Sequence, residues 1–196
     1  MYNTGCCIRS VRIARALPLT GVKRGLALLA VATDGSYDMG VDLMTRAAAL
    51  IAVLGTAVVY GTGVFCAIVL RPALTSVDDR VLVAVTGNVH RYGDRRMPVP
   101  GVLGVVATAV SAVLATVAAH WAQAIAAGVA LVLLLVWIVL YTQVSAPINR
   151  QLTAAADAGK ALPNARVLQA KWDSIIGARA WLQGLALASL CVVLMI

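Results

Sequence analysis

Gln123-Ala-Ile-Ala-Ala-Gly-Val-Ala-Leu-Val-Leu-Leu-Leu-Val-Trp-Ile-Val-Leu-Tyr-Thr142 is an unbroken run with no charged residue. A helix needs about 20 mostly apolar residues to cross the hydrocarbon core of a bilayer, and this run has that length. Three further stretches read the same way: Ala47–Leu70, Gly101–Ala119 and Ala180–Ile196 contain no Asp, Glu, Lys or Arg. A soluble core helix would show a polar stripe every three or four residues, and none of the four does so. The expected fold is all-α, an integral membrane four-helix bundle. Its spans are expected at about 46–70, 101–119, 123–142 and 178–196, within a membrane domain covering 45–196.

Composition agrees with that reading. Of 196 residues, 61% are hydrophobic and 12% charged, which leaves room for one bundle with modest loops. The net charge of +8 sits in the tail and in the loops flanking the spans, the usual basic border of a membrane protein. Nucleic acid is therefore not expected as a partner; the lipid bilayer is. The four cysteines form no framework: Cys6 and Cys7 are adjacent in a basic tail, while Cys66 and Cys191 fall in opposite leaflets if the spans alternate. That is well beyond the roughly 7 Å Cα limit for a disulfide, so buried, inert thiols are expected. No Cys/His spacing suggests a metal or redox centre, and no cofactor is expected.

Residues 1–44 differ from the rest. Arg9, Arg12, Arg15, Lys23 and Arg24 precede a short apolar run, Gly25–Ala32, and then a polar stretch. A cleaved signal with Ala30 and Ala32 as its small-residue site is one reading, although the run sits at the lower end of the accepted length. The preferred reading is a disordered tail or an upstream extension, the functional chain starting at Met39 or Met44.

Basic residues also orient the bundle. The 71–100 connection carries Arg71, Arg80, Arg91, Arg95 and Arg96; the 143–179 connection carries Arg150, Lys160, Arg166, Lys171 and Arg179. The short connection around His120 and Trp121 carries no formal charge with the histidine neutral. Cytoplasmic loops collect Lys and Arg, so both long connections are expected in the cytoplasm and both termini outside the cell membrane.

Within the first connection Pro72 is expected to stop the first span, and Ser76-Val-Asp-Asp79 fits a capping box. Val77, Val81, Val85 and Val89 then recur every four residues, the pattern of an amphipathic interfacial helix between spans one and two. His90 follows it in the polar cluster Asn88–Arg96. Pro147 is expected to close span three, and Asn164 to cap a helix running through Trp172 into span four. Small residues on span two (Ala107, Ser111, Ala115, Ala119) and span four (Ala180, Gly184, Ala188) form strips that permit close helix approach.

The two histidines end up roughly 30 Å apart across span two, so they cannot share one haem iron. His120 beside Trp121 reads as an interfacial pair; His90 is the better functional candidate. Trp172 and Arg179 are seven apart and share a helix face that Gln183 continues. Polar groups at that depth are costly and often mark a pocket, for which Tyr60, Tyr141 and Gln143 are further candidates. The apolar stretches lack carboxylates, which argues against a proton-coupled transporter.

These features together resemble the bacterial membrane proteins of the anthrone oxygenase-like family. The residues carrying the resemblance are a Gly-rich first span ending in Arg71-Pro72, the His90 loop, Pro147-Ile-Asn149-Arg150-Gln-Leu152, and Trp172 with Arg179 opening the last span. It covers roughly 46–196 and implies a four-helix fold, with a cofactor-independent oxygenase of apolar anthrone-like or quinol-like phenolics as the activity. The residue set it implies is His90 as base, Arg150 and Arg179 as electrostatic stabilisers, Asn149 as an orienting partner and Trp172 as a stacking wall. An apolar aromatic ligand and a homo-oligomer are the other partners considered. The rival expectation is a non-catalytic protein that binds lipid or serves as a subunit of an envelope assembly.

Overall fold

The computed structural model describes residues 21–160 and 162–196, with side chains from 37 onward in the same ranges. The expectations for Cys6, Cys7 and Arg9 to Arg15 lie outside the described residues. Contacts divide the chain into two units, Met1–Gly40 and Val41–Ile196. Of the first, Gly21–Gly40 is helical backbone. The second holds most of the length of the apolar helices described below.

Among the described residues seven α-helices follow in order: α1 Gly21–Phe65, α2 Arg71–Thr75, α3 Asp79–Arg96, α4 Pro98–Val117, α5 Trp121–Leu140, α6 Ala146–Asp157 and α7 Ala165–Met195. No strand occurs among the described residues. Four segments among the described residues are long and apolar enough to cross a membrane: Tyr37–Thr75, Pro98–Val117, Trp121–Asp157 and Ala165–Met195. Their outward faces carry large apolar side chains such as Leu54, Ile68, Val113, Val132 and Leu185. A surface of that kind is stable in lipid, not in water.

Inside, the bundle is held by small residues. Ala52, Ala107, Ala130, Leu134, Ala186 and Leu190 bring α1, α4, α5 and α7 into one core. Gly55 of α1 lies so close to α4 that a Cβ there would sit 2.7 Å from the Pro100 carbonyl oxygen and 2.9 Å from the Gly104 nitrogen. No hydrophobic effect drives helices together in lipid, so this approach is what dispersion contacts require. The span-two strip is buried at Ala107, Ser111 and Ala115. On α7 the buried line is instead Trp172, Ile176, Gln183, Ala186, Leu190 and Val193. Of the expected strip, Ala188 faces outward, and Gly184 serves to seat the ring of Tyr60.

Neither proline ends its span. A π-helical turn, Cys66–Leu70, runs directly into α2 with Pro72 in its first turn, and a second, Tyr141–Ser145, runs into α6 with Pro147 likewise placed. Proline lacks an N–H and its ring crowds the carbonyl four residues earlier. Here those carbonyls belong to Ile68 and Gln143, both inside the π turns, where the widened helix accommodates the missing bond. Spans one and three therefore continue past the expected ends.

The cap of α3 also moves. Asp78 is its N-cap, accepting from Val81 N at 2.9 Å, while Ser76 Oγ donates to Ala73 O. The helix continues through His90 to Arg96, so the polar cluster is helical rather than a loop. Its Val81, Val85 and Val89 stripe faces outward. The opposite face, Leu82, Val83, Thr86, Gly87 and His90, is buried. Leu82 and Val83 pack into a cluster with Leu74, Ile148, Leu152, Ala165, Trp172 and Ile176. Arg166 pins this end by bonding Asp79 Oδ1 at 2.7 Å, Leu74 O at 2.9 Å and the Val77 carbonyl. Arg91 pairs with Asp157. Asn164 is the N-cap residue of α7 as expected, without a side-chain bond. Cys66 is a buried free thiol, but Cys191 faces outward, because α7 turns it away from the core line.

Candidate functional site

At the end of the bundle capped by α3 lies a cavity of about 370 Å³. That is within the size range of small-molecule sites, and like them it is largely apolar with a few convergent polar groups. Its walls come from most elements of the fold: Val59 and Gly63 of α1, with Cys66 of the π turn that follows; His90, Gly93 and Asp94 of α3; Gly101, Val102 and Val105 of α4; Trp137 and Ile138 of α5; Asn149 of α6; and Trp172, Ile176 and Arg179 of α7.

Helical spacing brings the polar members together. Trp137, Tyr141 and Ser145 follow one another at four-residue steps, the last two within the π turn. Tyr141 donates to Asp94 Oδ1 at 2.8 Å, and Ser145 Oγ accepts from Arg179 Nη1 at 2.8 Å. Arg179 lies against three rings, with its guanidinium carbon 5.4 Å from the centre of Tyr141 and 6.0 Å from those of Trp137 and Trp172. Cation–π attraction of this kind strengthens as water is removed. His90, one turn before Asp94, packs its ring 5.6 Å from that of Trp172. Asn149 Nδ2 donates to Asp94 Oδ1 at 2.9 Å.

Burial pushes the His90 imidazole down to about 4, with the Arg179 charge reinforcing the shift and the Asp94 carboxylate opposing it. At neutral pH the ring is uncharged and burial makes it a weak base, whose affinity for a proton rises only when a negative charge stands beside it. Among the described residues, seven buried side-chain polar atoms have no hydrogen-bond partner, and four of them belong to residues lining this cavity: Trp137 Nε1, Trp172 Nε1, Arg179 Nε and Asn149 Oδ1. Buried polar groups are nearly always paired, so such a concentration needs an explanation.

Of the expected site residues, His90, Asn149, Trp172 and Arg179 line one cavity, whereas Arg150 is exposed beside Asn149 and lies outside it. Tyr141 is on the wall; Tyr60 packs on Gly184, and Gln143 faces outward. Asp94, Trp137 and Ser145 were not singled out from the sequence. Asp94 had a signal, being the one carboxylate in the His90 cluster and a helical turn away from it. Ser145 had none, since only the π turn aims it at Arg179. No group of three His, Cys, Asp or Glu able to hold a metal occurs among the described residues.

The fold and its outward-facing apolar surface define the class, a multi-pass helical membrane protein. Comparison with protein-family models, curated proteins and solved structures finds no match.

Proposed function

We propose that the protein is a membrane oxygenase acting without a cofactor on an apolar aromatic compound of anthrone or quinol type that partitions into the bilayer. The observation that carries this reading is the group of unpartnered polar atoms around an apolar cavity that also contains an uncharged histidine. With anthrone as substrate, anthrone and dioxygen give anthraquinone and water. His90 takes the proton from the acidic methylene, leaving an electron-rich enolate whose oxygen lies against Arg179 and the indole N–H groups. The enolate carbon delivers its electrons to dioxygen, and the peroxide formed recovers the proton from His90. Loss of the remaining hydrogen on that carbon, with cleavage of the oxygen–oxygen bond, expels water and leaves the new carbonyl. Donors aimed at developing negative charge in a dry site are worth far more than in water. A positioned base adds about 10²–10⁴-fold.

The same reading places the protein in the cell membrane with both termini outside and its α3 and α6 connections in the cytoplasm, on the strength of the Arg and Lys asymmetry. Arg150, outside the cavity, serves this border rather than the reaction. Its similarity in sequence pattern to the anthrone oxygenase-like family is part of the proposal.

Oxygen uptake by the purified protein in detergent tests it. Anthrone should consume one equivalent of dioxygen per equivalent oxidised, and His90→Gln should lower the catalysed rate by at least about 10²-fold with the protein still folded. Uptake no faster than the uncatalysed background with anthrone, a quinol and a phenol, together with phospholipid co-purifying on Arg179, would establish the lipid-binding alternative.

A further inference from the structure

Asp94 sets which atoms the cavity leaves open. Its Oδ1 accepts two hydrogen bonds, from the Tyr141 hydroxyl and from Asn149 Nδ2. A carboxylate accepts and does not donate, so the Asn149 amide has one workable orientation, NH₂ toward Asp94. Asn149 Oδ1 is then left as an acceptor on a residue only 3% exposed, and it has no partner. The other three unpartnered atoms around the cavity, on Trp137, Trp172 and Arg179, are all N–H donors. Nothing in this set can exchange roles: an indole and a guanidinium never accept, and Asp94 prevents the amide from flipping.

We infer that Asp94 is a specificity-determining positioning residue, which locks Asn149 as an acceptor so that the cavity selects aromatic ligands carrying a hydroxyl donor at one edge and a carbonyl or phenolate acceptor at another. The inference rests on the cavity being a ligand site, as proposed above, but not on the oxidation. An O-methylated ligand would leave Asn149 Oδ1 buried and unpaired, and a site built to bond a hydroxyl discriminates against an analogue lacking it.

Product-like compounds separate binding from turnover. Quenching of tryptophan fluorescence is titrated with 2-hydroxyanthraquinone and with 2-methoxyanthraquinone, exploiting Trp137 and Trp172 in the cavity wall. The folded protein should bind the hydroxy compound at least about tenfold more tightly. In Asp94→Asn, where the amide of residue 149 is free to turn, the ratio should fall to about twofold or less, with the methoxy affinity little changed. Tyr141→Phe removes one bond to Asp94 but keeps the lock, so its ratio should match that of the parent. If Asp94→Asn does not fold, Asn149→Leu gives the second route, and the ratio should collapse there too. A parent ratio near one, a ratio that survives in folded Asp94→Asn, or, where that variant does not fold, one that survives Asn149→Leu, overturns the inference while leaving anthrone turnover as an independent result. Absence of quenching by either compound overturns the inference and the ligand-site reading together.

Discussion

Each end of the bundle carries a histidine, a side-chain amide and an arginine, and the two ends use them in opposite ways. At the α4–α5 turn the groups close on one another. Asp42 pairs with Arg46 at 2.8 Å and accepts from Gln123 Nε2 at 3.0 Å; Gln123 Oε1 meets His120 Nδ1 at 3.2 Å; Arg46 Nη1 donates to Leu194 O at 2.9 Å. This network ties α1, α5 and α7 together. At the α3 end, four polar atoms around a cavity are left without partners. Leaving a buried donor or acceptor unsatisfied costs about 1–3 kcal/mol each, so the second arrangement is poor as a brace and good as a receptor. Polar residues at a membrane boundary therefore divide by what they still lack, not by what they are.

The α3 end is also the easier one to break. Gly87 docks α3 on α6 so closely that a Cβ there would collide with Ala156 and lie 2.7 Å from the Leu152 carbonyl oxygen. Gly87→Val should destabilise the protein by about 3 kcal/mol and abolish ligand binding, while the Asp42–Gln123 network persists. Thermal unfolding in detergent, with hydrogen exchange mapped at both ends, reads this directly; equal loss of protection at both ends would erase the distinction.

Protonation sharpens the contrast. The folded His90 pKa, at about 4, lies below the unfolded value of 6.5, so between those limits the unfolded chain binds more protons than the folded one. The stability associated with neutral His90 is complete above pH 6.5, falls as pH drops toward about 4, and levels off below. The shift corresponds to about 3 kcal/mol at most. His90→Gln should remove that part of the slope, measured as the difference between the two unfolding profiles. A parent and variant with parallel profiles from pH 7 to 4 would mean that the imidazole is not buried as described.

A smaller effect belongs to the closed end. Gln123→Ala removes the bond to Asp42 and should cost about 1 kcal/mol of stability, with no change in binding of an aromatic ligand. A tenfold loss of affinity in this variant would move the site to the wrong end of the molecule.

The sequence made these ends unequally legible. The four spans followed from long uncharged runs, and His90, Asn149, Trp172 and Arg179 from polar residues at one depth, because helical spacing carries over directly into faces. The prolines misled, since a π turn absorbs Pro72 and Pro147 without ending a helix, and no sequence pattern announces that choice. Asp94 was hidden for a related reason: its importance lies in bonds to Tyr141 and Asn149, 47 and 55 residues away. The Asp42–Gln123 brace, spanning 81 residues, was equally invisible. The valine recurrence located the apolar stripe of α3, and Val81, Val85 and Val89 do face outward, but it gave no sign that Leu82, Val83, Thr86, Gly87 and His90 form a second, buried face.

Photolabelling tests most directly the claim that the incompletely bonded end is the receptor. Benzophenone, an apolar diaryl ketone whose excited carbonyl inserts into nearby C–H bonds, is irradiated with the protein in lipid nanodiscs, and the labelled residues are mapped. Labels should fall on inward cavity positions, above all Gly63, Gly101, Ile138 and Ile176, and be suppressed by excess 2-hydroxyanthraquinone. Labels confined to outward-facing residues, or gathered around His120 and Gln123 and indifferent to the competitor, would contradict that claim.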